Sequence, residues 1–162
     1  MASFGAKNPY FCKVKEEPDG KLPVYDGEPV KIGRLVKADL SITMASGKLY
    51  ADDELAESVE EFASGSLTME TDDIIDSVAS VVYGTTVEEK TVHYNTKDDP
   101  PSGGLAYYKK LMRKRKVLYK GVFYPLVKAS LGNDSASTKT DSITFGTSST
   151  TFTVFAAANG DW

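Results

Sequence analysis

The side chains able to do chemistry are few, and they do not converge. His93 is the only histidine. A histidine-based metal site would need carboxylate partners at ligand spacing, and no such spacing surrounds it. A Ser-His-Asp triad needs one histidine, but in a chain rich in Ser and Asp a single His is no signal of one. Cys12 is the only cysteine. It has no activating neighbour in sequence, reads as a small hydrophobe, and leaves no internal disulfide to form. No phosphate-binding glycine loop, dinucleotide fingerprint or nucleophile elbow is present. Asp52-Asp53-Glu54 could hold calcium but lacks the Asp-x-Asp-x-Asp-Gly register of a calcium loop. Asn133-Asp134-Ser135 matches a glycosylation acceptor. Met1-Ala2-Ser3-Phe4-Gly5 shows no basic region followed by an apolar run, so no secretory signal is expected and the match is read as chance. Arg113-Lys114-Arg115-Lys116 could touch nucleic acid or lipid, but on a hairpin tip it reads as a solvated turn or the seat of an acidic partner. The expectation is a protein with no catalytic residues, no cofactor and no metal.

Length and charge narrow the class. A chain of 162 residues is expected to form a single domain, 1–162, and buries roughly 70% of its unfolded surface. Apolar content is 41%, charged content 26% and net charge −4, which does not favour wrapping nucleic acid. No apolar run is long enough to span a membrane, and a protein that folds in a cytoplasm is the default. Charge is segregated. Residues 49–89 carry twelve acids and no Lys or Arg, whereas residues 90–128 carry ten bases against Asp98 and Asp99. Two solvated faces would explain this. So would self-complementarity, with one copy's acidic segment registering on another's basic one.

The elements that must position these charges are mostly strands. Lys37–Met44 and Ala63–Glu70 alternate apolar and polar residues with period two. The segment between them, centred on Gly47–Glu57, is far longer than the two to five residues that close a hairpin. It is acidic and bears Leu49, Tyr50 and Leu55, which predicts an assembly arm over about 45–62 rather than a connector. Ser142–Gly146 and Thr150–Phe155 alternate in the same way. Thr71 is placed to cap a helix whose apolar stripe is Ile74, Ile75, Val78, Val81 and Val82, with Gly84 to stop it. Val87–Tyr94 and a basic, aromatic meander follow: Leu105–Met112, a turn at Arg113–Arg115, Lys116–Tyr119, a turn at Lys120-Gly121, and Val122–Lys128. Lys15–Pro29 and Leu131–Lys139 read as loops. The sum is a mostly antiparallel β domain, sandwich-like or barrel-like, with one helix packed on a sheet.

The order of these elements resembles the major tail proteins of long-tailed, non-contractile bacteriophages of Gram-positive hosts. The resemblance rests on the alternating strand, Leu49-Tyr50-Ala51-Asp52-Asp53, the Glu-rich return strand and short helix, the meander ending Leu118-Tyr119-Lys120-Gly121-Val122-Phe123, and the final Thr-rich strand pair. The order matches over nearly the whole chain. The Lys15–Pro29 segment and the Arg113–Lys116 turn depart from the pattern.

The resemblance implies a tail-tube fold and a structural subunit of the virion, assembled in the host bacterial cytoplasm. Six copies would form a ring, with four strands of each in an inner β-barrel and the helix outside. Stacked rings would form a tube that conducts double-stranded DNA during genome ejection, with tail terminator, tape measure and distal tail proteins as partners. Leu49, Tyr50, Asp52, Asp53, Glu54, Leu55 and Glu57 would then join one ring to the next. Lys109, Arg113, Lys114, Arg115 and Lys116 would form a basic interface. Alternation along the four strands supplies a candidate channel face: Asp39, Ser41, Thr43, Ser64, Ser66, Thr68, Glu70, Thr144, Thr151 and Thr153. Small hydroxyls make a smooth wall, and the two acids repel phosphates within a screening length of about 8 Å. Other readings are the same fold in a phage-derived injection or secretion device, a soluble β-sandwich with an acidic ligand or calcium loop, and, more distantly, an enzyme built around His93.

Overall fold

The structure, a computed structural model, describes residues 2–51, 54–89, 91–134 and 146–162. It is mostly antiparallel sheet with one short helix. The main sheet is built from β1 (Ala2–Glu16), β2 (Val24–Tyr25), β3 (Val30–Lys31), β4 (Leu35–Ala51), β5 (Glu54–Thr71), β8 (Ser102–Arg113), β9 (Lys116–Asp134) and β10 (Ser148–Val154). Its order is β2-β1-β8-β9-β10-β5-β4, with β3 paired to β1. β6 (Thr86–Glu88) and β7 (Thr91–His93) form a separate hairpin, and the helix α1 is Asp76–Tyr83. Among the described residues no helix is long and apolar enough to cross a membrane.

The core follows from the alternation. Leu67, Met69, Phe152, Val154, Val127 and Ala129 come from one face of β5, β10 and β9, and Phe11, Leu105 and Tyr107 join them from β1 and β8. Phe11 and Phe152 meet with ring centroids 6.2 Å apart, inside the range for favourable aromatic pairs. Val78 and Val82 of the expected stripe enter the same cluster together with Ala79 and Tyr83, and Ile74 and Val81 pack partly against it, so the helix lies on the sheet, whereas Ile75, also expected in the stripe, precedes the helix and is 64% exposed. The Tyr83 hydroxyl and Thr150 Oγ1 share a buried hydrogen bond.

Four expectations are corrected. The 45–62 arm is not a loop. β4 and β5 stay paired through Ala45–Glu61, Gly47–Val59, Leu49–Glu57 and Ala51–Glu54, so it is a long two-stranded ribbon whose end, Asp52 and Asp53, lies outside the described residues. The helix starts at Asp76, and its N-cap, Ile75, is extended and makes no side-chain cap. Thr71 stays in β5 opposite Leu35 and Ser148 instead. The delay has a local cause. Asp72 Oδ1 accepts the N–H of Arg34 at 2.7 Å and of Asp73 at 2.9 Å, and Asp73 Oδ1 accepts that of Ile74 at 2.8 Å. These side-chain bonds hold Asp72 and Asp73 in a local turn ahead of the helix. Gly84 does end the helix, left-handed at φ 69°, where a Cβ would meet the carbonyl oxygen of Asp99 at 2.6 Å.

The third correction is that Lys120-Gly121 is no turn. β9 runs unbroken through both residues and on through the expected loop start to Asp134. The fourth is that Val87–Tyr94 is the β6–β7 hairpin, turned at Glu89 with φ 54°.

Candidate functional site

Register places the expected channel residues side by side. On one face of β4, β5, β10 and β9, Asp39 pairs with Thr68, Thr68 with Thr151, and Thr151 with Ser130. The next row is Ser41, Ser66, Thr153 and Lys128. Lys37, Glu70 and Ser149 form the row on one side, and Thr43 and Ser64 the row on the other. Directly paired residues share a face of the sheet, so nine of the ten expected residues form one hydroxyl-rich surface. None of the nine is buried. Thr144 lies outside the described residues, as does most of the expected 142–146 strand. The fourth strand of this sheet is the distal half of β9, where Ser130 Oγ donates to the Thr151 carbonyl at 3.1 Å. Its alternation, Val127, Ala129 and Leu131 against Lys128 and Ser130, was visible, but Gly132-Asn133 reads as loop chemistry.

The electrostatics of this face are balanced. It carries two cations, Lys37 and Lys128. Lys37 Nζ pairs with Asp39 on the same strand. The hydrogen bond and charge of Asp39 raise the lysine's pKa. Lys128 Nζ lies 2.6 Å from Asp99 Oδ1. With Glu70 added, each copy presents one net negative charge and no unpaired cation on this face among the described residues.

The opposite face of β4 is apolar and only partly covered. Leu40, Ile42 and Met44 are 38%, 42% and 48% exposed, although Leu40 faces the buried Leu67. β4 is also an outer strand of the sheet, pairing only with β5 among the described residues. A 17-residue edge with an apolar row is a template for another chain.

Two ribbons leave the same end of the sheet. Val154 pairs with both Gly65 and Val127, and β5 and β9 run in the same direction. The parts of both strands that precede those residues continue past the end of β10, each with its hairpin partner. The β4–β5 ribbon carries the acids Glu54, Glu57, Glu60 and Glu61. The β8–β9 ribbon ends in a two-residue turn at Lys114 and Arg115, with φ of 48° and 66°, between the paired Arg113 and Lys116. Lys109 does not join that tip. It is half-buried, with Nζ 5.6 Å from the centre of the Tyr107 ring, a cation–π contact. From β10 the chain continues with Phe155 N–H on the Leu126 carbonyl, 2.9 Å, and returns to β5, where Trp162 stacks on Phe62 at 4.4 Å and 6°. Nothing in the sequence spacing pairs these two rings.

The remaining chemical candidates stay apart. His93 is exposed, and Nε2 is 3.8 Å from Glu88 Oε2. Among the described residues no group of three or more His, Cys, Asp or Glu side chains could hold a metal. Cys12 is half-buried. Its Sγ points at the carbonyls of Asp26 and Gly27, 3.6 and 3.8 Å away, and burial followed by the charge of Asp26 raises its pKa. A thiol held protonated is a weak nucleophile. No family model, curated protein or solved structure matches the chain.

Proposed function

We propose that this chain is a structural, non-catalytic subunit of a bacteriophage tail tube, which assembles as six-membered rings stacked into a hollow tube that conducts DNA. The observation that carries the reading is the two-faced β4–β5–β10–β9 sheet. One side is a surface of small hydroxyls whose two lysines are each held by an acid. The other buries the core and continues, at β4, into an apolar row that a single copy leaves uncovered. A channel wall for a polyanion needs such a surface. Hydroxyls leave it wet and smooth, and paired cations give phosphates nothing to bind. Ring closure would cover the β4 edge with a neighbouring copy and remove the liability of a long open strand. Interfaces of that permanent kind bury upwards of about 2,000 Å². The acidic ribbon would cross to the adjacent ring, as its length favours, together with the lack of a third strand beside it among the described residues.

The reading places the protein in a virion tail, with tail terminator, tape measure and distal tail proteins as its neighbours. Negative-stain electron microscopy of concentrated protein tests it. Hollow tubes or six-fold rings are expected, and filaments without a lumen would refute it.

A further inference from the structure

The face of β1, β8 and β9 turned away from the core carries a groove. Two cavities, of about 470 and 310 Å³, share Tyr10, Ala106 and Phe123 and so form one continuous depression. Pairing explains its shape. Ala106 lies between Tyr10 and Phe123, Gly104 is opposite Cys12, and Gly121 is opposite Tyr108. Small residues make the floor and aromatic rings the walls. A side chain on Gly104 would meet the Tyr25 ring at 2.6 Å, so only glycine lets that ring close one end. Tyr25 is fixed there by its hydroxyl, which donates to the Pro125 carbonyl at 2.8 Å, and by an edge-on contact with Phe123. Tyr10 and Phe123 are nevertheless 40% and 50% exposed. Basic groups follow on the same face: Lys7 is opposite Tyr108, and Lys110 is opposite Tyr119. The basic turn Arg113–Lys116 lies beyond them.

We propose that this groove receives the acidic β4–β5 ribbon of a second copy. The inference rests on the tube reading and names the surface that the ribbon meets. Charge complementarity selects the occupant. The ribbon offers Glu54, Glu57, Glu60 and Glu61 with one lysine, Lys48, and its sequence carries the apolar Leu49, Tyr50, Leu55 and Val59. An apolar groove with Lys7 and Lys110 at its rim fits that combination of apolar and acidic residues. The ribbon also needs support. Beyond the end of β10 it is two strands with no third among the described residues, and Val59 is 55% exposed. An isolated two-stranded ribbon is marginal in water. Among the described residues none of the ribbon's own strands lines the groove, so the donor is another copy.

Cys12 makes the test direct, because the only thiol lies in the groove. Its rate of maleimide modification is compared between unassembled protein and tubes of the unaltered full chain. At least tenfold protection in the tubes is expected. A second measurement uses Tyr50→Cys protein, assembled and then oxidised with copper phenanthroline. Bonding of residue 50 to Cys12 of the next copy gives a ladder of covalent oligomers, which Cys12→Ser in the same protein abolishes. Tubes in which Cys12 reacts as fast as in the unassembled protein would overturn the groove assignment and leave the tube reading standing. Failure to form any ring or tube would overturn both.

Discussion

If the apolar row of β4 is an interface waiting for a neighbour, charging it should block assembly while the single copy stays folded. Replacing Leu40→Lys and Ile42→Lys together does this. Full burial of a Leu or Ile side chain is worth about 1.5–3 kcal/mol, so the exposed 38% and 42% correspond to about 1 kcal/mol each on burial by a partner. The pair contributes about 2 kcal/mol, roughly a 30-fold change in association. That is a floor, since two unpaired ammonium groups in an interface add a desolvation cost. In the single copy the lysine stems cover the apolar surface that Leu40 and Ile42 now cover, and the charged ends reach water. The melting temperature should therefore move by no more than about 2–4 °C, the shift for about 1 kcal/mol in a domain of this size. Sedimentation gives the assembly threshold, and circular dichroism the melting point of dilute protein. A threshold within threefold of the original, or a fall in melting temperature above about 10 °C, would refute the reasoning. The second outcome would mean that the row belongs to the core.

Other outcomes follow from the same geometry. Phe152→Ala empties a fully buried site between Phe11 and the helix side of the sheet, and should cost about 3–5 kcal/mol in denaturant unfolding. Phe62→Ala removes the stack on Trp162, the only tryptophan, and should red-shift its fluorescence while costing about 0.5–1.5 kcal/mol beyond the lost area. Burial raises the pKa of Tyr25 from 10.0 to about 12, and burial also raises those of Tyr83 and Tyr124. Folding favours the protonated phenols, so the Tyr25 contribution is complete below pH 10 and is lost as pH rises through about 12, and the contributions of Tyr83 and Tyr124 are likewise lost at pH values above 10. A melting series from pH 9 to 12 should show that loss, and Tyr25→Phe should flatten part of it. Asp72 runs the other way. The Arg34 N–H above all holds its carboxyl below the ordinary range, so its contribution is present above about pH 4 and is lost as pH falls through the lowered value. Asp72→Ala should remove that acid-side slope.

Period-two alternation carried most of what was legible. It marked Lys37–Met44, Ala63–Glu70 and Thr150–Phe155, and the register aligns those strands so that Asp39, Thr68 and Thr151 share a row. Gly84 marked the helix end because only its backbone tolerates the left-handed turn there. The helix start was not legible, since Asp72 and Asp73 satisfy helix-capping and turn chemistry equally, and the choice depends on the N–H of Arg34 across the chain. The ribbon reads as loop because Ala45–Lys48 and Ser58–Glu61 are exposed on both sides of two strands, so no apolar period marks them. Continuity of β9 through Lys120-Gly121 was hidden because pairing with Lys109 and Tyr108 overrides the local turn signal. The groove is a property of three strands side by side, and no single segment shows it.

The central claim is that the hydroxyl face of β4, β5, β10 and β9 lines an open channel. A cryo-electron microscopy map of the assembled protein tests it most directly. Six-fold rings around a water-filled lumen are expected, with Ser41, Ser66, Thr68, Thr151 and Thr153 at its wall and Leu40 and Ile42 covered by the neighbouring copy. A map in which Thr68 and Thr151 are packed against protein, with the Leu40 row facing solvent, would contradict it.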